Sequence, residues 1–499
     1  MSIQNEINRI NSNVQETLQT IADTGVSVGT NSDALPSAAA ALANNKANID
    51  SPAFTGTPKA PTAAAGTNTT QVATTAFVQS ALGGASQDKI GDIKTTARTD
   101  LGSDWLLCDG SAFSGDDYPE LVGLCGPDVS NATFEERDPI WTDTVNLVKI
   151  NKVLYADGYW VAAGKRYAGS TTYACIAYST SVDGPWTTVD LWSLNDTTNH
   201  PHVADVAYAN GYWVVAGQRN YTNQIYYGCI AYATTPDGTW TTKDILNDGT
   251  SNSRCSLGRI IYANGYWVVA GRSTNRLCIS YSTTPDGTWT TKTIANSSSS
   301  GATALVYLNG YWAIGAWYWD SWGGYWCGVF YSTSLDGTWS SWSYYSGSAP
   351  SGNTVGAIAY INNKWIYLCY TTSSTSFYMA DNLAQSGNAT SWTTGSSYQY
   401  RDLIFDRGYY IVCGRIGNTP ACLYGKSFGK SVALTEVLLP TTSTSQQYAT
   451  SATVAGGRIV FVKSDINSSS KYCAELCVSK SEGVLPAIDL GVPSYIKAL

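Results

Sequence analysis

The decapeptide Tyr208-Ala-Asn-Gly-Tyr-Trp-Val-Val-Ala-Gly217 recurs unchanged as Tyr262-Ala-Asn-Gly-Tyr-Trp-Val-Val-Ala-Gly271. Its Asn-Gly pair lies between apolar runs and predicts a tight β-hairpin, because both residues of such a turn need positive φ. A Cys-containing run follows each copy, and then Thr-Thr-Pro-Asp-Gly-Thr-Trp, which ends at Trp240 or Trp289. The Asp-Gly pair predicts a second tight turn. One unit therefore contains four strands, a to d, with hairpins between a and b and between c and d.

The unit repeats with a period of about 50 residues, which is typical of repeat architectures. The other copies are centred on Trp160, Trp312, Trp365, Tyr410 and Val460, which makes seven. Four antiparallel strands repeated in this way predict a seven-bladed β-propeller in a mainly β chain. A β-solenoid is the alternative fold, but its repeats are shorter and lack such hairpins.

The two ends of the repeat region predict how the ring closes. The last copy, Ser451 to Ser479, supplies strands a, b and c only. We expect residues 139–145, at the front of the region, to provide the missing d strand. Closure of this kind removes the exposed sheet edges that invite aggregation.

The predicted ring has two unlike faces. The a–b and c–d turns, which we call the uniform face, are short and similar between repeats. The b–c and d–a loops, the variable face, differ in length and sequence, and such loops commonly carry function. Because the chain enters at the start of a d strand and leaves at the end of a c strand, its attachment is expected on the uniform face.

The loops of the variable face are rich in aromatic residues beside Asn, Asp and Arg, a combination that stacks on sugar rings and anchors interfaces. The alternatives are that the rings pack beneath their loops and that the arginines are solvated loop ends. The predicted receptor-binding residues are Trp317, Tyr318, Trp319, Trp322, Tyr325, Trp326, Arg219, Tyr221, Tyr226, Tyr227, Arg166 and Arg272.

The N-terminal segment carries a heptad pattern. Spacings alternating between four and three residues are typical of a coiled-coil seam, and β-branched residues at both seam positions favour three strands. We therefore predict a homotrimeric coiled coil in residues 1–24, a lone amphipathic helix being the alternative. The seam residues are Ile3, Ile7, Ile10, Val14, Thr17 and Ile21.

Residues 25–88 are low in complexity and interrupted by prolines, which predicts a thin stalk. Within them, residues 51–58 (Ser-Pro-Ala-Phe-Thr-Gly-Thr-Pro) and 71–78 (Gln-Val-Ala-Thr-Thr-Ala-Phe-Val) resemble the short repeat of phage tail-fibre shafts. In that family the repeat belongs to a trimeric stalk. The resemblance therefore implies a fibre whose N-terminus attaches to a tail baseplate or a proximal fibre protein.

A second resemblance concerns residues 90–121. Ile90-Gly91-Asp92-Ile93, Trp105-Leu106-Leu107-Cys108-Asp109-Gly110-Ser111 and Tyr118-Pro119-Glu120-Leu121 resemble the start of the phage tail-collar domain. The Leu-Pro strand that continues this pattern in the family arrives only as Leu485-Pro486. This implies a small split collar domain, residues 89–129 and 483–499, with the propeller inserted as residues 130–482.

The second turn of the repeat, Ser/Thr-x-Asp-Gly-x-Trp, resembles the Asp-box of sialidase-type propellers with one residue missing before the Trp. Asp-boxes are structural in that family, so the resemblance implies fold alone. Sialidase-like enzymes also need a Tyr–Glu nucleophile pair, which has no visible counterpart in this sequence. The sequence has only two histidines, His200 and His202, so few side chains are available for histidine-based acid–base catalysis. No metal site or cofactor is expected. We predict that the chain is not an enzyme, a glycosidase on the variable face being the alternative.

Composition excludes other classes. The net charge is −8, only 13% of residues are charged, and no Lys/Arg-rich run exists, so a nucleic-acid partner is not expected. No apolar run is long enough to cross a bilayer, and the first residues lack the features of a secretory signal.

Together with the two resemblances, the sequence predicts a tail fibre of a phage or phage-tail-like particle, located in the virion tail. It would bind a bacterial surface receptor, glycan rather than protein; a baseplate or adaptor role is the alternative.

Overall fold

The structure is a computed structural model, and contacts divide the chain into two compact units, Met1–Lys89 and Ile90–Leu499. Within the described ranges, no helix is both long and apolar enough to span a membrane. The described residues are 2–24, 26–45, 74–75, 78, 88–97, 101–115, 117–125, 132–141, 148–168, 170–194, 201–221, 225–250, 253–274, 276–296, 300–319, 325–345, 354–370, 374–383, 390–394, 398–406, 408–430, 432, 434–441, 447–455, 458–465, 475–479, 482–484 and 494–498.

The first unit contains two helices, α1 (Ile3–Ala22) and α2 (Leu35–Asn45), with a 3-10 turn at Ser32–Ala34 before α2. The C-terminal half of α1 packs against α2 and buries Leu18 and Ile21. The N-terminal half of the predicted seam is exposed, with Ile3, Ile7 and Ile10 at 82%, 45% and 50% of full exposure. Thr17 is exposed as well, so among the seam residues only Val14 and Ile21 are covered by the described part of the same chain.

Helix α2 lies within the segment, residues 25–88, that is predicted as a stalk interrupted by prolines. Its alanine-rich sequence is a strong helix former. Pro36 falls in the first turn, where the missing N–H group costs nothing because it would have no intrahelical partner. The residues that resemble a tail-fibre repeat, 51–58 and most of 71–78, lie outside the described residues.

The second unit begins with strands β1 (Ile93–Thr95), β2 (Trp105–Leu107) and β3 (Ala112–Ser114) and helix α3 (Pro119–Cys125). Most of its remaining residues form seven four-stranded sheets, counted over the described residues. In sheet order the strands are β5 (Lys149–Ala156), β6 (Tyr159–Ala168), β7 (Thr171–Ser179), β8 (Thr187–Leu194); β9 (His202–Ala209), β10 (Tyr212–Asn220), β11 (Tyr226–Ala233), β12 (Thr241–Leu246); β13 (Ser256–Ala263), β14 (Tyr266–Ser273), β15 (Arg276–Ser282), β16 (Thr290–Asn296); β17 (Ser300–Leu308), β18 (Tyr311–Trp319), β19 (Tyr325–Ser332), β20 (Ser340–Tyr345); β21 (Thr354–Ile361), β22 (Lys364–Tyr370), β23 (Thr375–Ala380), β24 (Thr390–Thr393); β25 (Tyr398–Asp406), β26 (Tyr409–Ile416), β27 (Thr419–Gly425), β28 (Thr435–Leu438); and β29 (Gln447–Ala455), β30 (Arg458–Asp465), β31 (Glu475–Ser479) with β4 (Phe134–Glu136).

The sheets are arranged as blades around a channel. The first strand of each sheet contacts the first strand of the next, from β5 through β9, β13, β17, β21 and β25 to β29, and β29 contacts β5 again. All strand pairs within these sheets are antiparallel, as the two hairpins per repeat predict. The arrangement is that of a β-propeller.

The repeated decapeptide explains the local structure of each blade. At the first hairpin, Asn210 and Gly211 have φ of 49° and 74°, the left-handed geometry for which an Asn-Gly turn is suited. Directly before and after the turn, Tyr208 and Trp213 are cross-strand partners whose ring centroids lie 5.0 Å apart. Equivalent pairs recur in four other sheets: Tyr155–Trp160, Tyr262–Trp267, Tyr307–Trp312 and Tyr360–Trp365. Such pairs contribute roughly 0.5–1.5 kcal/mol beyond the area they bury.

The last sheet joins distant parts of the chain. Its d strand is β4, with Glu136 opposite Cys477 and Phe134 opposite Ser479, so the prediction of residues 139–145 for this strand is wrong. Trp141 of that segment is instead buried in the core between the first and last sheets, with Nε1 donating to Thr188 Oγ1 at 3.0 Å. A run of β-branched and aromatic residues can form a paired strand or pack as a buried segment. The sequence pattern alone does not show which run pairs with β31.

A buried ion pair network lies in this closing sheet. The Lys463 side chain of β30 is fully buried. Its Nζ donates to Glu136 of β4 and lies 3.2 Å from Glu475 of β31. It also donates to the carbonyl of Pro440 at 3.2 Å. The network thus links three strands of the sheet, one of them from the opposite end of the repeat region.

After β31 the chain returns to the small body that began it. β32 (Glu482–Val484) pairs with β3, and β33 (Ser494–Lys497) lies between β1 and β2. Both ends of this unit therefore share one core, and its identity as a collar domain stays a prediction. Leu485 and Pro486 lie outside the described residues. The core residues are Cys108, Phe113, Leu121, Val122, Ile496 and Ala498.

We predict that Lys463→Ala lowers the free energy of unfolding by about 3–5 kcal/mol, because removal of one partner leaves buried carboxylates without their counter-charge. Chemical denaturation of the full chain measures this. The control is Lys364→Ala, which removes an exposed lysine paired with Asp381 and should change the value by at most about 1 kcal/mol. Equal effects of the two substitutions would contradict the role of the network.

Candidate functional site

The predicted Arg and Tyr residues of the variable face form compact clusters. Arg219 Nη2 lies 2.9 Å from Asp244 Oδ2 and its guanidinium is 4.7 Å from the ring centre of Tyr221. The Tyr221 hydroxyl donates to the same carboxylate at 2.7 Å, and its ring centre is 4.6 Å from that of Tyr227. Tyr221 is 46% exposed. The cluster thus offers a fixed aromatic edge to solvent.

Arg166 and Arg272 also contact tyrosine side chains, in the two flanking sheets. Arg166 makes two hydrogen bonds to Asp190, of 2.8 and 2.5 Å, and lies over the ring of Tyr173. Arg272 Nη2 donates to the Tyr226 hydroxyl of the preceding sheet at 3.5 Å. Arg166 and Arg219 therefore already have carboxylate partners, which reduces what they offer to an anionic ligand.

The aromatic loop between β18 and β19 is only partly described. Trp317 lies in β18 opposite Cys327 and is half-buried. Tyr318 and Trp319 end β18, and Tyr325 and Trp326 begin β19, so the backbone places all four at the variable face. Their side chains, and the whole of Trp322, lie outside the described residues, and their role in binding stays a prediction.

A second feature of this face, not predicted from the sequence, is the mouth of the central channel. In each of the seven sheets the first strand carries one extra residue relative to the second strand. A bulge of this kind re-aims a side chain, and all seven extra residues line the mouth. They are Asn151, Ala204, Gly258, Thr303, Gly356, Arg401 and Thr450.

The glycine that ends the decapeptide lies where the bulged first strand approaches the second strand closely. A Cβ on Gly217 would lie 2.0 Å from the carbonyl oxygen of His202, and one on Gly271 would lie 2.1 Å from that of Ser256. Gly164 and Gly414 meet the same obstacle in their sheets. In these four sheets the second strand thus has glycine where the bulged first strand approaches it, and the other three sheets have Ala316, Cys369 and Lys463 at the equivalent position.

The mouth is strongly cationic. Lys149, Arg259 and Arg401 line it together with His202, and Lys165 is the cross-strand partner of Lys149. Among the described residues, none of these lysines and arginines forms a salt bridge with a carboxylate. Burial, followed by repulsion from Arg401 and Arg259, lowers the pKa of Lys149 to about 8. Burial and Lys149 likewise lower the pKa of Lys165 to about 8.

Arg401 is held at the mouth by aromatic rings. Its guanidinium lies 4.8 Å from the ring centre of Tyr370 and 4.1 Å from that of Tyr448. Its buried Nε has no hydrogen-bond partner in the described part of the chain. A guanidinium has five N–H donors and no acceptor, so the rings orient this side chain while its Nε donor has no acceptor among the described residues.

Two carboxylates line the channel below the mouth. Asp205 accepts hydrogen bonds from the backbone N–H groups of Val206 and Ile260, at 3.0 and 3.1 Å. Asp402 accepts from Leu403 and Ala452 in the same way. Each carboxylate therefore joins its own sheet to the next one, and its charge is directed at peptide N–H groups. No group of three or more potential metal ligands occurs among the described residues.

Comparison with known proteins gives partial similarity in sequence and several matches of fold. No family model matches the chain. A probable tail fibre protein of Escherichia phage P2 is 37% identical over 119 residues, which cover 22% of this chain and 17% of that protein. The chain thus matches less than a fifth of that relative's length.

The similar solved structures include a sialidase of Trypanosoma rangeli, at 11% identity and a TM-score of 0.40, with 56% of this chain and 53% of that one covered. The Hadza microbial sialidase Hz136 has 8% identity, a TM-score of 0.37 and coverage of 64% and 75%. An exo-β-1,3-galactanase of Phanerochaete chrysosporium has 16% identity, a TM-score of 0.32 and coverage of 73% and 98%. At these identities the likeness is one of fold alone.

The prediction that the chain is not an enzyme is wrong, because the solved structures to which its fold is similar are themselves enzymes, sialidases and a galactanase. The sequence argument relied on a missing nucleophile pair, and the absence of one residue pattern does not exclude activity on a fold that supports many chemistries. The likeness itself assigns no activity to this chain.

We predict that Lys149 titrates near pH 8 and that Arg401→Gln raises this midpoint, because removal of a neighbouring positive charge favours the protonated amine. NMR of the full chain with labelled lysine side chains measures the midpoint. Lys364→Gln removes one positive charge at the uniform face and should leave it unchanged. A midpoint near the ordinary lysine value in the unsubstituted chain would contradict the crowding of cations at the mouth.

Proposed function

We propose that the chain is the receptor-binding tail fibre of a phage or phage-tail-like particle. In this proposal a seven-bladed β-propeller attaches the particle to a bacterial surface glycan through its variable face. The partial match to a tail fibre protein of phage P2 supports the fibre role. The chain's own tail-fibre-like and collar-like motifs support the same role.

The observation that carries the attachment role is the contrast between the two faces. The variable face combines the open cationic mouth with the exposed Tyr221 cluster. On the uniform face, β31 ends at Ser479 beside Phe134 of β4, and β32 of the small body follows three residues later. The rest of the second unit thus joins the ring at the uniform face, which leaves the variable face open to a receptor.

Glycan is the favoured receptor class because of the side chains available. Tyrosines supply flat apolar area together with a polar hydroxyl. Their arginine and aspartate neighbours hold these rings in place before a ligand arrives, which lowers the entropy that binding would otherwise lose. The pairing of Tyr221 with both Tyr227 and Asp244 is an arrangement of this kind.

The N-terminal unit is proposed to make the fibre a homotrimer and to link it to a baseplate or proximal fibre protein. The exposed Ile3, Ile7 and Ile10 of α1 follow the heptad spacing and are covered by nothing within their own described chain. Burial of one such side chain contributes roughly 1.5–3 kcal/mol. Two further copies of α1 would supply the partner surface.

We predict that Tyr221→Ala reduces adsorption of the labelled full chain to susceptible cells by about tenfold or more, as loss of an aromatic anchor does at other interfaces. Binding to a panel of bacterial strains by flow cytometry measures this. Tyr266→Ala is the matched control, since Tyr266 is also exposed and also packs on a tyrosine, but it lies at a uniform-face turn. Loss of adsorption with Tyr266→Ala and not with Tyr221→Ala would contradict the assignment of faces.

The native mass of the full chain tests the trimer separately. We expect three times the 53.4 kDa chain mass, and a lower mass when Ile7 and Ile10 are both replaced by Asp, because charges at seam positions oppose association. Light scattering coupled to size exclusion measures both. A monomeric unsubstituted chain at micromolar concentration would contradict the trimer.

A further inference from the structure

The cations at the channel mouth are close enough to oppose one another. The pKa of Lys149 is lowered by Arg401 and Arg259 as well as by burial, and the pKa of Lys165 is lowered by Lys149. Holding like charges together in a half-buried site costs free energy. A ligand with more than one negative charge, placed between these side chains, would offset that cost.

Among the described residues, no carboxylate pairs with the arginine donors at the mouth. Arg401 is fixed between Tyr370 and Tyr448, while its Nε has no partner among the described residues. In the part of the chain that the structure describes, Arg259 Nη1 donates to the carbonyl of its neighbour Gly258, at 2.9 Å. The two carboxylates deeper in the channel, Asp205 and Asp402, accept from backbone N–H groups instead.

We propose that the channel mouth binds the phosphate group of a phosphorylated surface sugar, with Arg401, Arg259 and Lys149 on the phosphate oxygens. This inference rests on the proposed function and specifies the ligand class of the same face. A phosphate monoester carries about −1.5 to −2 charge at pH 7 and three acceptor oxygens, whereas a carboxylate carries one charge and two oxygens. Several guanidinium and ammonium groups lining one mouth match the phosphate better.

The surroundings of the mouth suit the sugar that carries the phosphate. Thr303 Oγ1 donates to the carbonyl of Val355 at 2.6 Å, and Asn151 Nδ2 donates to that of Val203 at 2.6 Å. A hydroxyl or amide oxygen keeps its acceptor capacity when the group donates elsewhere, so Thr303 and Asn151 can still accept from sugar hydroxyls. The channel below holds a cavity of about 450 Å³, within the range of roughly 300–1,000 Å³ found for small-molecule sites.

The test is calorimetric titration of the full chain at pH 7 with glucose 1-phosphate, glucuronate and glucose. We expect binding of the phosphate ester, at least tenfold weaker binding of glucuronate, and none of glucose. Arg401→Gln should weaken phosphate-ester binding by about tenfold or more, the size of one charge-assisted hydrogen bond. Lys364→Gln, which removes the same charge from the uniform face, should leave it unchanged. Far-ultraviolet circular dichroism checks that both variants are folded.

The pH dependence adds a readout that a merely structural role for Arg401 would not produce. Among the described residues, the charged or titratable groups that line the mouth with Lys149 or pair with it are Lys165, Arg259, Arg401, His202 and Tyr370. Because the phosphate favours the protonated amine of Lys149, the affinity for the phosphate ester should fall as pH rises through about 8.

Equal binding of glucuronate, or no binding of the ester by a folded chain, would overturn the phosphate inference. Adsorption to cells that persists in folded Arg401→Gln would leave the proposed function standing, whereas ester binding without adsorption to any strain would overturn attachment alone.

Discussion

The closing sheet determines whether the rest of the ring can exist. Its fourth strand, β4, comes from more than 300 positions before β31 in the chain, and its pairing covers the edge that β31 would otherwise expose. The buried Lys463, with Glu136 and Glu475, is stable only when all three strands are in place. A buried ion pair contributes less to stability than to the choice of partner. In this ring the partner strand is β4, and no local sequence pattern indicates that it pairs with β31.

Closure also determines which face can act. The same strands that close the ring bring both ends of the second unit to the uniform face, where β3 and β32 continue into the small body. On the other face, seven bulges turn one residue per sheet toward the axis. The glycine opposite each of several bulges accepts the close approach that a Cβ would prevent. The repeat that builds the scaffold therefore also builds the mouth of the channel.

The sequence predicted the parts of the fold that depend on neighbouring residues. The Asn-Gly turns, the strands around Trp213 and Trp267, and the antiparallel pairing all follow from local patterns. The pairing of β4 was misplaced by a few residues, because a run such as 139–145 fits a strand as well as it fits a buried segment. Helix α2 was missed because Pro36 suggested a break where it in fact begins a helix.

The candidate site was predictable only in part. The Tyr and Arg clusters at the ends of the second strands were expected from loop composition, although Arg166 and Arg219 are engaged with aspartates. The cationic mouth was missed because Lys149, Arg259 and Arg401 lie in three different repeats and share no motif. Only the closed ring and its bulges bring them together.

The most direct test of attachment through the variable face is a structure of the full chain bound to glycan from the envelope of a susceptible host. We predict ligand density at the channel mouth and the Tyr221 cluster; density confined to the uniform face or the small body would contradict the account.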